Sequence, residues 1–219
     1  MRHSCSWLAL AAIMVLAPAA PAAAQELGLK GVITLSDFAE NGSGTNRWDE
    51  RLAATGFSGH VRFRFGPIAL QPELQVITRG AESSTTAAEE EQLRIEYLEV
   101  PVLLVVPVRF GRLEPYAFGG GMVALESRCR YVVKESGLRS NFACDSPSGE
   151  GQVFERRKAD YGVIGGGGAS YRVGSGRILM EARHTWGFRN IMSRSSTLEV
   201  KNRTFMIGIG YAISLAQNR

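Results

Sequence analysis

After one apolar stretch near its N-terminus, the 219-residue chain has no further long apolar run. A membrane-spanning helix needs about 18 or more such residues, so none is expected in the body of the chain. Cysteine is scarce: there are three, with no CxxC pair and no cysteine beside a histidine, which leaves zinc and thiol-redox chemistry without ligands. An excess of one charge is also lacking. Lys and Arg total 25 against 21 Asp and Glu, and no dense basic tract occurs, so nucleic acid is not an expected partner. The glycine run at 165–168 has no Lys-Ser/Thr after it and no helix to open, which rules out a phosphate loop. Glu89, Glu90 and Glu91 stand in a polar stretch and read as a solvated tip. No cofactor or metal is expected.

The N-terminus carries Arg2 and His3, then an apolar run at 7–16, then an Ala/Pro-rich segment ending Ala22-Ala23-Ala24. This is the layout of a secretory signal peptide, expected at 1–24, with a single domain at 25–219. Cys5 falls in that leader. The remaining pair, Cys129 and Cys144, is expected to form a disulfide in an exported chain.

The rest is dominated by alternation. In 203–215, Phe205, Ile207, Ile209, Tyr211 and Ile213 share one face, while Thr204, Met206, Gly208, Gly210 and Ala212 share the other. Similar alternation recurs at 26–36, 56–65, 68–79, 93–106, 116–127, 160–173 and 177–187. The connections after the first, third, fifth and seventh segments are long and polar, and those after the second, fourth and sixth are short. An all-β, eight-stranded antiparallel up-and-down transmembrane β-barrel follows, with short periplasmic turns and long outer loops. If Gly66-Pro67 is a tight hairpin, His60 stands opposite Glu73 and Arg62 opposite Gln71. Pro72 and Pro101 fall inside strands, where local bulges or periplasmic extensions are expected.

Two chemistries divide the faces. Lys30, His60, Arg62, Arg64, Glu73, Glu99, Glu181 and Arg183 form the expected lumen charge network. With Glu99 inward, Leu98, Val100, Val102 and Leu104 face lipid, and Arg94 and Glu96 lie above the membrane. Phe57, Phe65, Tyr161, Tyr171, Trp186 and Phe205 are candidates for aromatic girdles at the membrane interfaces. A soluble, secreted lipocalin-like carrier would invert these faces, and alternation alone does not separate the two. The loop rhythm and the small, glycine-rich polar face favour the membrane.

The ordered series GLKGVITLS (28–36), LQPELQVITRG (70–80), YLEVPVLL (97–104), YAFGGG (116–121), EARHTWGFRNI (181–191) and IGIGY (207–211) resembles the PorT-like outer membrane β-barrel family. The resemblance implies an eight-stranded barrel in the bacterial outer membrane, with prolines where this chain has them. The chain departs from many such barrels by ending AQNR (216–219) rather than on an aromatic. The expected function is a structural or surface-interaction barrel without an open pore. Its partners are outer membrane lipid, the barrel insertion machinery and a protein met at the outer loops, and it acts as a monomer. Family analogy adds an accessory role in secretion or envelope assembly as the alternative. No enzyme is expected: His184 has Trp186, not serine, as its neighbour on the same face.

Overall fold

The structure is a computed structural model that describes residues 25–41, 50–86, 89–135, 138–144, 158–190 and 199–215. The expected leader lies outside the described residues. The strands are β1 (Gln25–Asn41), β2 (Glu50–Phe65), β3 (Ile68–Thr86), β4 (Glu89–Pro107), β5 (Leu113–Glu135), β6 (Leu138–Ala143), β7 (Ala159–Val173), β8 (Gly176–Gly187) and β9 (Glu199–Ser214). Eight of them close into an antiparallel ring in the order β4-β3-β2-β1-β9-β8-β7-β5, sealed by β4 against β5. Closure leaves no strand edge unpaired in the membrane, the condition that lets a sheet span it.

β6 is outside the ring. It folds back along the outer end of β5, from Arg130 opposite Ala143 to Glu135 opposite Leu138. The segment expected as one long loop at 128–159 therefore begins as a β-hairpin. The loops expected at 39–55 and 80–92 are likewise shortened by strand, because β2 begins at Glu50 and β3 runs to Thr86. Alternation persists there, with Leu52 and Ala54 buried and Arg51 exposed.

The register gives the tilt. From Gln25 the ladder passes through Phe63, Leu70, Leu104, Gly119, Gly165, His184 and Phe205 and returns to β1 at Leu35, ten residues further along. Over eight strands that stagger needs a tilt of about 40°. The hairpin register matches the expectation: His60 pairs with Glu73, and the flanking Phe63–Leu70 pair places Arg62 across from Gln71.

The two tight turns are chemically specified. Gly66 has φ 63° and Gly174 has φ 58°, conformations in which a side chain is strained. Pro67 cannot share a positive φ, so the first turn has glycine at its first central position only.

The prolines depart from expectation, since neither sits in a bulge. The β2–β3 ladder lapses across Pro72 and resumes at Glu73 in the same register. The β3–β4 ladder lapses opposite Pro101, again without a shift. Each missing N–H removes one bond toward one neighbour, and the other neighbour holds the strand in place. The bulge in this region lies between Glu96 and Tyr97 of β4, against β5.

The seam between β1 and β9 depends on small residues. A Cβ at Gly210 would collide with the carbonyl oxygen of Leu29 and lie 2.7 Å from Lys30 Cγ, whereas one at Gly31 would meet nothing within 4 Å. Gly210→Val is expected to destabilise by about 1–3 kcal/mol through overpacking, and Gly31→Val by much less. Urea unfolding of the two variants in lipid vesicles checks this; equal stabilities would refute close packing at the seam.

Candidate functional site

The inward faces hold three layers of charge. At mid-barrel, Lys30 from β1 donates to Glu73 of β3 and to Glu181 of β8, each at 2.8 Å. Arg183 of β8 closes the ring, 2.9 Å from Glu73 and 2.9 Å from Glu181. All four side chains are buried. Ser58 and Gln71 also donate to Glu73, at 3.2 and 2.6 Å, so its lone pairs are well used.

Toward the periplasmic turns, Glu114 of β5 accepts from Arg64 at 2.6 Å and from Arg177 at 2.7 Å. Glu26 lies 3.3 Å from Arg177 and 3.5 Å from Arg62. Arg62 also donates to Gln71 at 2.6 Å and stands 5.0 Å from the centre of the Tyr116 ring. Toward the outside, Arg79 pairs with Glu99 at 2.6 Å, and Asn202 donates to Asp160 at 2.8 Å.

Every residue expected in the lumen network faces the interior. His60 is buried among them without joining the central ring. Its imidazole fills the space over Gly28, where a Cβ would lie 2.6 Å from Nε2. Several members escaped the sequence reading: Glu26, Arg79, Glu114, Asp160 and Arg177. Each keeps the inward parity of its strand, so extending the alternation to the strand ends was the signal that could have found them.

The opposite wall of the lumen is apolar. Tyr97, Leu103, Val105, Phe118, Met122, Ala124 and Ile164 form one buried cluster on β4, β5 and β7. Gly166 and Gly168 admit this wall. A Cβ on the first would sit 2.8 Å from Phe118 Cζ, and on the second 2.9 Å from both Glu181 Cβ and Tyr116 Cζ. The interior is thus filled from both sides.

The outward face is the converse. Leu29, Ile33, Leu74, Val76, Val102, Leu104, Ile207 and Ile209 are exposed, with Ile209 at 61%. Leu98 and Val100 also face outward, opposite to buried Glu99. An exposed apolar belt around a charged interior is the reverse of a lipocalin-like carrier, and it excludes that alternative. Charge buried at mid-height and apolar surface outside is what a hydrocarbon surround requires.

Of the expected aromatics, Phe65 and Tyr171 lie at the periplasmic ends of their strands. Tyr161, Trp186 and Phe205 lie toward the outer ends. The two groups are about 25 Å apart along the tilted strands, the height of a bacterial apolar belt. Phe57 departs from this pattern. It pairs with Gly31 and Val76 inside the belt, because β2 continues well past it to Glu50. His184 faces outward and packs against Trp186, ring centres 4.4 Å apart.

Cys129 and Cys144 are bonded, with Cα atoms 5.5 Å apart, at the base of the β5–β6 hairpin. The backbone N–H of Cys144 donates to the Cys129 carbonyl, continuing the ladder. The crosslink therefore fastens a local hairpin rather than the ring. In Cys129→Ser/Cys144→Ser, trypsin is expected to cut at Arg130, Lys134 or Arg139 while the barrel core survives. Loss of the whole barrel would contradict this local role.

A family model described as outer membrane protein beta-barrel domain matches residues 23–193. No curated protein matches the chain. Among solved structures, it is similar to Ail, the attachment invasion locus protein of Yersinia pestis, in complex with the heparin analogue sucrose octasulfate. Identity there is 15%, covering 86% of this chain and 99% of that one, with TM-score 0.43. It is also similar to Neisserial surface protein A, at 12% identity over 86% and 97% of the two chains, TM-score 0.42. A third is the N-terminal β-barrel domain of Pseudomonas aeruginosa OprF, at 9% identity over 84% and 97%, TM-score 0.34.

Proposed function

Because this chain belongs to the outer membrane protein β-barrel domain family and forms a closed eight-stranded barrel in the bacterial outer membrane, we propose that it is a structural and surface-interaction barrel. Its outer end meets partners, and its lumen conducts nothing. The observation that carries this reading is the buried ring of Lys30, Glu73, Glu181 and Arg183 facing an apolar wall. Eight strands leave room for side chains and little else. The outer end, by contrast, is raised by the extensions of β3, β4 and β5 and stiffened by the disulfide hairpin.

The motif series that resembles PorT-like barrels supports a second reading, an accessory of secretion or envelope assembly. What favours it is the turn after β4, where Val108 and Phe110 are exposed on the periplasmic side. In both readings the chain is a monomer delivered by the barrel insertion machinery. Neither reading includes catalysis: on β8, His184 shares its outward face with Met180, Ala182 and Trp186, none of them a nucleophile.

Two measurements test this. In planar bilayers the purified protein is expected to give no stable conductance steps, and defined steps would overturn the closed lumen. A photocrosslinking residue at Leu138 is expected to capture an outer partner in cells, while one at Phe110 captures none. Capture at Phe110 alone would favour the accessory reading.

A further inference from the structure

Just above the apolar belt, the outer face of β4 and β5 concentrates positive charge. Leu98 pairs with Leu125 as the last apolar rung. The next rungs on the same face are Glu96 with Arg128 and Arg94 with Arg130. Two arginines directly across from each other repel. Glu96 lies 3.9 Å from Arg128 and 3.7 Å from Arg130, distances too long for good charge-assisted hydrogen bonds, and Glu82 of β3, across from Gln92, is the other carboxylate near Arg94. The Arg128 and Arg130 side chains are about half exposed, at 58% and 49%.

The bulge decides where these side chains go. Below it, even-numbered residues of β5 such as Met122 and Ala124 point inward. The register shift between Glu96 and Tyr97 leaves Ser127 as the extra residue, and its hydroxyl donates to the Glu96 carbonyl at 3.1 Å. Parity then inverts. Cys129 turns inward to meet Cys144, and Arg128 and Arg130 turn outward onto the lipid-facing side. Without the bulge both arginines would enter the lumen. A bulge that re-aims side chains is a feature commonly built for a purpose.

The height of these residues identifies the occupant. The two charged rungs stand about 5–10 Å above the apolar rim, counted along tilted strands, which is headgroup depth. They also face sideways from the barrel wall, continuous with Leu98 and Leu125, so their neighbour is the surrounding membrane and not a ligand entering the mouth.

We propose that Arg94, Arg128 and Arg130 form a binding site for the phosphate groups of an anionic outer-leaflet lipid of the phosphorylated glycolipid class. Guanidinium forks fit phosphate in paired hydrogen bonds, and a phosphate between Arg94 and Arg130 turns their repulsion into shared attraction. The site goes beyond the surface role proposed above and depends only on the barrel's orientation.

The test uses the full chain reconstituted in phosphatidylcholine bilayers containing a minor fraction of bisphosphorylated lipid A. Lipid retained on the barrel after detergent extraction is measured by native mass spectrometry. Lipid A is expected to be enriched over phosphatidylcholine, with retention falling about fivefold for each of Arg94→Gln, Arg128→Gln and Arg130→Gln. Arg203→Gln, an exposed arginine on β9 across the ring from β4, is expected to leave it unchanged. Because a variant could fail to fold, dephosphorylated lipid A with the parent protein serves as an arm independent of Arg128→Gln/Arg130→Gln, and each is expected to abolish enrichment. Enrichment that survives either arm, or none in the parent protein, would overturn the site.

Discussion

Glu73→Gln is expected to destabilise the barrel by about 3–5 kcal/mol, the range for a buried cation left without its partner. Glu73 accepts from Lys30 and Arg183, both fully buried, and the amide removes the charge that neutralises them. Glu181 would then face two cations alone, at the height of the bilayer centre, where water is least able to help. Reversible urea unfolding in phospholipid vesicles, followed by tryptophan fluorescence and by the mobility difference between boiled and unboiled samples, reads the change. Adding Lys30→Met restores neutrality, and the double variant is expected to regain more than half of the loss. A single variant within about 1 kcal/mol of the parent would show that the ring is hydrated and that the lumen is not sealed.

Ile209→Arg is expected to cost about 2–4 kcal/mol, the penalty for an arginine on the lipid face at mid-depth. Ile209 is exposed and sits within the belt, beside Met180 on β8 and Gly31 on β1. In a water-surrounded protein so exposed a position would accept arginine with little effect. Leu125→Arg, at the outer rim next to Arg128, is expected to cost only about 0–1 kcal/mol. Comparing the two in vesicles separates depth from exposure. Equal losses would mean that the belt does not span hydrocarbon.

How far the sequence could be read depended on where alternation was clean. In β9, large and small residues alternate without a break, and both faces could be assigned from the residues alone. The inward charges of β2 and β8 followed for the same reason. In β5 the faces went unassigned, and above Leu125 one extra residue inverts parity with no local composition to announce it. The β6 hairpin was hidden similarly: Leu138–Ala143 is polar enough to resemble a loop, and its pairing to β5 is set by the disulfide and the ladder. The prolines misled in the opposite direction. They predict irregularity, but a strand held on both sides loses one bond and keeps its register. Which charges pair was beyond reach, since Lys30, Glu73 and Glu181 are brought together only by the stagger of the closed ring.

That ring also bears on how the chain's two ends find each other. β1 and β9 are joined over sixteen rungs, yet the repeated Ile and Gly of 207–213 make the match degenerate. A slip of one rung would be rejected at once, because it turns Lys30 into hydrocarbon. A slip of two preserves every face and would look almost as good to the apolar surface. It would, however, carry Lys30 about 7 Å along the strand axis, out of reach of Glu181, which rides on the other side of the seam with β8. The same four charges therefore favour the correct closure over near-misses that hydrophobicity cannot tell apart.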